Sequence, residues 1–189
     1  MAFKTLLTVA TEEALAEATM TRAAAMADAH DAHLEAMCLG VDRTQTGYYY
    51  AGANAMVLQE TLNRASTEAA TLARSVRDLL GRSAARWSVE EGVAQLADVG
   101  RHVAARARFA DLVVLPRPYG EGRGVELEPV VEGALFEGQA PVMVLPDTGD
   151  LPARPERIVV AWNESAEALR AVRAALPVLA AAAAVHVVV

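Results

Sequence analysis

Short apolar runs rich in β-branched residues alternate with segments of helical periodicity along the whole chain. Five such runs precede residue 147: Phe3–Ala10, His33–Val41, Ala85–Gly92, Asp111–Leu115 and Ala140–Pro146. Between them, apolar residues recur at helical spacing. Leu15, Ala18, Met26 and Ala29, with Arg22, mark a first helix; Leu58, Leu62, Ala65, Ala69, Leu72, Val76 and Leu79 mark a second. Leu96, Val99, Val103 and Ala107 mark a third, and Val130–Phe136 a short fourth. Strands that each return through a helix are expected to lie parallel in one sheet, with right-handed crossovers. The near-continuous apolar run Asp111–Leu115 fits a parallel strand covered on both faces. The pattern therefore predicts an α/β chain: an open, doubly wound, Rossmann-like parallel sheet of five strands.

After Pro146 the sequence "DTGDLPARPE" brings two prolines, a glycine and acids together, as a linker does. Then "RIVVAWNESAEALRAVRAAL" repeats the opening order of strand, cap and helix, with Asn163 in the place of Thr11 and a stripe of Leu169, Val172 and Leu176. "AVHVVV" is a further strand. The expected organisation is a domain over 1–146, a linker over 147–156, and a partial β-α-β repeat over 157–189. A lone β-α-β unit cannot cover its sheet faces and edges. The expectation is that a longer protein, or another chain, completes it.

Composition narrows the function. The chain has 189 residues and a net charge of −7. Phosphate neutralisation needs clustered Lys and Arg, so nucleic acid is not an expected partner. The single cysteine, Cys38, excludes an internal disulfide and a multi-cysteine metal site. No basic-then-apolar leader opens the chain, and no apolar run reaches membrane-spanning length. A cytoplasmic protein that binds neither membrane nor metal is expected.

The segment "DLVVLPRPYGEGRGVELEP" raises the main functional question. It runs from a buried strand into a loop with Gly120, Gly122 and Gly124 that also carries the acids Glu121, Glu126 and Glu128. Glycine-rich loops after sheet strands often cradle phosphate. Other candidates have simpler readings. Tyr48-Tyr49-Tyr50 reads as a loop folded over the second helix, the sharper alternative being a ligand lid or partner patch. His30, His33 and Cys38 lack metal-ligand spacing. His102 with Asp98 reads as a solvated i, i+4 pair, and Ser165 as a helix cap without a hydrolase elbow. Thr11 reads as the cap of the first helix, with Glu12 and Glu13 in its first turn.

"GVAQLADVGRHVAARARFADLVVLP" with "EGQAPVMVLP", and the restart after the linker, resemble the universal stress protein (UspA-like) family in its tandem form. The resemblance implies strand order 3-2-1-4-5 and association, as a homodimer or a tandem pseudo-dimer, through the fifth strand; Pro141, Val142, Val144 and Leu145 would carry that contact. It also implies ATP binding in one subfamily, at a site that here maps onto Ala10, Thr11, Val41, Arg117, Gly120, Gly122, Arg123 and Gly124. In such a sheet the ligand crevice lies where the winding reverses, between the first and fourth strands. The sequence departs from the ATP-binding pattern there. Thr11 stands in place of an Asp, the loop glycines lack Gly-x2-Gly spacing, Pro116 matches the first family glycine, and Glu128-Pro129 replace Gly-Ser at the fourth helix. Proline has no N–H for phosphate, and glutamate repels it.

The expected function is a non-catalytic stress-response module without a cofactor, acting through protein partners or a small ligand, whose first domain does not bind ATP. An adenine-nucleotide switch with at most slow hydrolysis is the alternative, with phosphate contacts from Arg117, Arg123 or the Gly120–Gly124 backbone. An electron-transfer flavoprotein-like domain shares the architecture as a third reading.

Overall fold

The structure is a computed structural model that describes residues 3–44, 54–148 and 155–189. The tyrosine run 48–50 and most of the linker lie outside the described residues. The first unit comprises β1 (Thr5–Ala10), α1 (Glu13–Ala29), β2 (His33–Asp42), α2 (Asn54–Leu80), β3 (Arg86–Gln95), α3 (Val99–Ala107), β4 (Leu112–Pro116), α4 (Leu127–Glu132) and β5 (Val142–Leu145). The five strands form one parallel sheet in the order β3-β2-β1-β4-β5. This is the expected doubly wound architecture, with the winding reversal at β1 and β4.

The strands are covered on both faces because their residues alternate between two apolar layers. Leu6, Leu34, Ala36, Cys38 and Val114 meet α1 and α2; Leu7, Val9, Met37, Leu39, Val113 and Leu115 meet α3 and α4. β4 is buried along its whole length, as its apolar run predicts. On α2 the expected stripe is realised by buried Ala65, Ala69, Leu72 and Val76. The helix lies directly on β2 at Gly40, where an added Cβ would run into the Ala65 carbonyl. At the opposite end of the sheet, Asp111 Oδ2 accepts from the backbone N–H groups of Lys4 (2.7 Å) and Thr5 (3.0 Å), fixing the start of β1 beside β4.

Four local expectations are revised. The core face of α1 centres on Ala16, Met20, Ala23 and Ala27; of the expected row Met26 is buried with them, but Ala18 and Ala29 are exposed. Alanines on every side of this helix leave no contrast from which to read its orientation. Its N-cap is Glu12, not Thr11. β3 extends three residues past Gly92 because β2 runs on to Asp42 and pairs with it residue for residue. The fourth helix begins at Leu127, and its second half, Gly133–Glu137, is π-helical. Gly133 packs on Gly100 of α3 so closely that a Cβ at 133 would strike the Gly100 backbone.

The remainder forms a separate two-stranded parallel sheet of β6 (Arg157–Ala161) and β7 (Ala184–Val188), joined by α5 (Ala166–Leu179). Ser165 caps α5, its Oγ accepting from the Ala168 N–H at 3.0 Å, as read from the sequence. Val159, Val187 and Val188 of this small sheet are exposed. Among the described residues, no helix is long and apolar enough to cross a membrane.

Candidate functional site

The carboxyl ends of β1 and β4 meet at the winding reversal, where an open α/β sheet offers its ligand crevice. Here that crevice is filled. Between Ala10, Thr11, Pro116 and Leu127 only about 10 Å³ remains, room for one water at most. Leu127 is buried, and beside it lies Glu126, the N-cap of α4, with no solvent exposure at all.

Glu126 is the central side chain of the site. Its carboxylate accepts from Arg43, which enters from just beyond the end of β2: Nε donates to Oε2 at 3.1 Å, and Nη2 donates to Oε1. A guanidinium gripping both oxygens is the strong, oriented form of this interaction. Gly124 leaves the room the carboxylate needs, since a Cβ there would lie 2.6 Å from Oε1. Burial alone pushes the Glu126 carboxyl up. The Arg43 hydrogen bonds and charge, its own backbone N–H and nearby Thr11 outweigh this and hold it below the usual range. Thr11 sits close enough to bias that carboxylate, yet its hydroxyl, buried, has no partner at hydrogen-bond geometry. The anion at the start of α4 is therefore the protein's own.

The glycine-rich loop is likewise engaged internally. Gly120 and Gly122 adopt positive φ (127° and 71°), the conformations for which glycine is suited. Arg117 and Arg123, the two cations expected to meet phosphate, both pair with Asp147, just past β5. Arg123 is largely buried, and its Nε has no partner. Tyr119 donates to the exposed Glu128 at 3.3 Å. Sequence reasoning weighed Glu128 and Pro129 at the head of the fourth helix; the buried carboxylate is Glu126, two residues earlier. Of the other site residues, Ala10 and Val41 are core side chains, 5% and 3% exposed.

A second, open cleft of about 350 Å³ lies beside the first, beyond the ends of β1 and β2. Thr11, Glu12 and Glu13 form one wall, Leu39 and Arg43 the floor and rim, and Thr67, Glu68, Thr71 and Leu72 of α2 the other wall. Three carboxylates face it against one guanidinium that Glu126 already engages. Sequence reasoning named Glu12 and Glu13, and Glu126 only as one of the loop's acids, but passed over Arg43; an arginine directly after a strand end, and Gly-x-Glu before a helix, were the available signals of the pair.

The remaining candidates resolve simply. His33 Nε2 shares a 2.8 Å hydrogen bond with Ser88 Oγ, and His30 meets the edge of Phe3. Asp98 pairs with Arg101 (3.1 Å), not with His102. Cys38 is buried, and its thiol is pushed up to about 12 by that burial. Asn163 Oδ1 accepts from the Ser165 N–H at 3.2 Å. Among the described residues, no group of three His, Cys, Asp or Glu could hold a metal ion. At the outer edge of the sheet, Val144 is 46% exposed, Pro141 and Val142 are partly covered, and Leu145 is a core residue at 3%. The side-chain contact expected of Leu145 is thus an internal one.

No protein-family profile matches the sequence, and no curated protein matches it. Solved structures do. The universal stress protein UspA from Lactobacillus plantarum is similar with a TM-score of 0.58 and 21% identity, over 77% of this chain and 99% of that one. A universal stress protein family member from Burkholderia pseudomallei (TM-score 0.45, 17% identity, 76% of this chain and 96% of that one) is also similar. So is a universal stress protein from Archaeoglobus fulgidus in complex with dAMP (TM-score 0.40, 13% identity, 76% and 98%). The first likeness shows that this chain has the universal stress protein fold; the other two are too loose to transfer a binding mode.

Proposed function

We propose that this chain is a universal stress protein-like module of the tandem type, a domain over 1–146 followed by a partial repeat over 157–189. In this reading the first domain does not bind ATP at the winding reversal, carries out no catalysis and acts through protein contacts in stress adaptation. One observation carries it: the buried Glu126 carboxylate, gripped by Arg43, occupies the start of α4 where a phosphate would need free N–H groups and positive potential. A nucleotide would have to displace a carboxylate held on both oxygens and, at the loop, break the pairing of Arg117 and Arg123 with Asp147. The acids Glu12, Glu13 and Glu68 beside the same crevice repel its phosphates.

The test is calorimetric titration of nucleotide-free protein with ATP and Mg²⁺. No saturable heat is expected. Micromolar binding would return the chain to the nucleotide-switch reading. The proposed association through β5 rests on its place at the sheet edge and on exposed Val144. Val142→Asp and Val144→Asp are expected to lower the mass seen by light scattering; an unchanged mass for both removes β5 as the interface.

A further inference from the structure

The ladder between β4 and β5 ends where proline ends it. Its last paired residues are Pro116 and Leu145, and Pro146 follows; neither proline has an N–H to carry the ladder on. β5 is also the shortest strand of the five-stranded sheet, four residues bonded on one side only. Side chains take over beyond it. Arg22 of α1 donates to the Pro146 carbonyl at 2.6 Å. At the next residue the two carboxylate oxygens of Asp147 go to different arginines, Oδ2 to Arg117 and Oδ1 to Arg123. These arginines stand on either side of Gly120 and Gly122 in one loop. Arg117 is set between Pro116 and Pro118, and its guanidinium lies against Gly120, 3.1 Å from where a Cβ would stand. Arg123 is only 11% exposed; among the described residues Asp147 is its one charge partner, and its Nε is buried without any. A guanidinium so covered keeps its place only while an anion meets it.

We infer that Asp147 is a latch: it ties the glycine-rich loop to the exit of the edge strand β5, so that the two are ordered together and released together. Such a coupling is reciprocal. Whatever draws Arg117 and Arg123 off Asp147 leaves Arg22 as the side-chain tie at that strand end. Whatever pulls Asp147 away leaves Arg123 a covered cation without its anion, and the loop opens to let it reach water. The latch joins segments that the backbone ladder cannot join, because the prolines have closed it. It has a consequence that rests on the reading of β5 as the strand of association: the loop then controls that contact, since releasing it frays the edge that pairs.

Hydrogen exchange of the whole chain at pH 7, read by mass spectrometry over residues 117–124 and 142–148, tests the latch. Arg123→Gln is the main variant, because a side chain so covered is not itself a partner contact. Arg117→Gln, at a 55% exposed position, is the second should the first fail to fold by circular dichroism. Either should speed exchange in both segments about tenfold or more, the factor expected for one lost charge-assisted hydrogen bond. β1 and β4, which pair with each other, should exchange as in the parent. Asp147→Asn combined with Arg123→Gln should exchange like Asp147→Asn alone, since the second change removes a bond already broken. Light scattering reads the consequence: Arg123→Gln should lower the associated mass. The latch is overturned if the β5 segment exchanges at the parent rate, or if the two substitutions add. Control of association is overturned if Arg123→Gln keeps the parent mass while Val142→Asp lowers it. If neither Val142→Asp nor Val144→Asp lowers the mass, the β5 reading fails by itself, and the exchange rates still decide the latch.

Discussion

Arg43→Ala tests the central pair most directly. The substitution leaves the Glu126 carboxylate in place, fully buried, without its cation. Breaking a buried ion pair from one side typically costs about 3–5 kcal/mol. The lower end applies here, because the Arg43 side chain is 43% exposed and its removal admits some water. A loss of about 3 kcal/mol corresponds to a fall in Tm of roughly 6–12 °C for a domain of this size. The pH dependence gives the signature. In the parent the Glu126 carboxyl is held below its ordinary value, so its contribution is present above about pH 4.3 and is lost as pH falls through the lowered value. Without Arg43, burial dominates and raises the carboxyl. The variant is then least penalised when Glu126 is protonated, and it loses stability as pH rises from about 4. The gap in Tm between parent and variant, followed by circular dichroism, should be wide at pH 7 and narrow towards pH 4. The double variant Arg43→Met with Glu126→Leu should recover most of the loss, because no buried charge remains. A gap under about 2 °C at pH 7, or one that does not change with pH, would refute the assignment of Glu126 as a buried, arginine-held anion.

Gly133→Ala should cost about 1–3 kcal/mol in denaturant melts, because the added methyl meets the Gly100 backbone and neither helix can easily retreat; a neutral result would mean that the two helices are not in close contact. Asp147→Asn should free Arg117 and Arg123 and speed hydrogen exchange across residues 117–124, with little change at β4; unchanged exchange would show that the clasp does not order the loop. Cys38 should react with a thiol reagent at pH 8 only as fast as the domain unfolds, since its thiol is buried and titrates near 12; rapid reaction in native buffer would contradict its placement.

The sheet was legible because its signals are local. β4 reads as one apolar run, and α2 shows its core stripe through Ala65, Ala69, Leu72 and Val76. The orientation of α1 was not legible, since alanine on all faces carries no direction. The site was legible only as a place. Its decisive pair joins residues 83 positions apart, and nothing near Arg43 in sequence announces Glu126. Glu126, Glu128 and Pro129 look alike as obstacles to phosphate in one dimension; folding buries the first and leaves Glu128 exposed beside Tyr119. Arg117 and Arg123 read as free cations because Asp147 lay across what sequence marks as a linker boundary.

The central place of β1 has a consequence for the chain while it is being made. β1 has β2 as its near neighbour in the chain, Leu6 beside Leu34, but its other neighbour in the sheet is β4, Leu6 beside Leu112. At roughly 5–20 residues per second, a ribosome takes about 4–14 s to travel from the end of β2 to β4. Throughout that interval the middle strand of the future sheet offers one unpaired backbone edge and an apolar face not yet covered by α3. Slow-translating or truncated chains that stop short of β4 would expose that edge indefinitely. The nascent chain, more than the finished protein, is thus the form most dependent on chaperone protection.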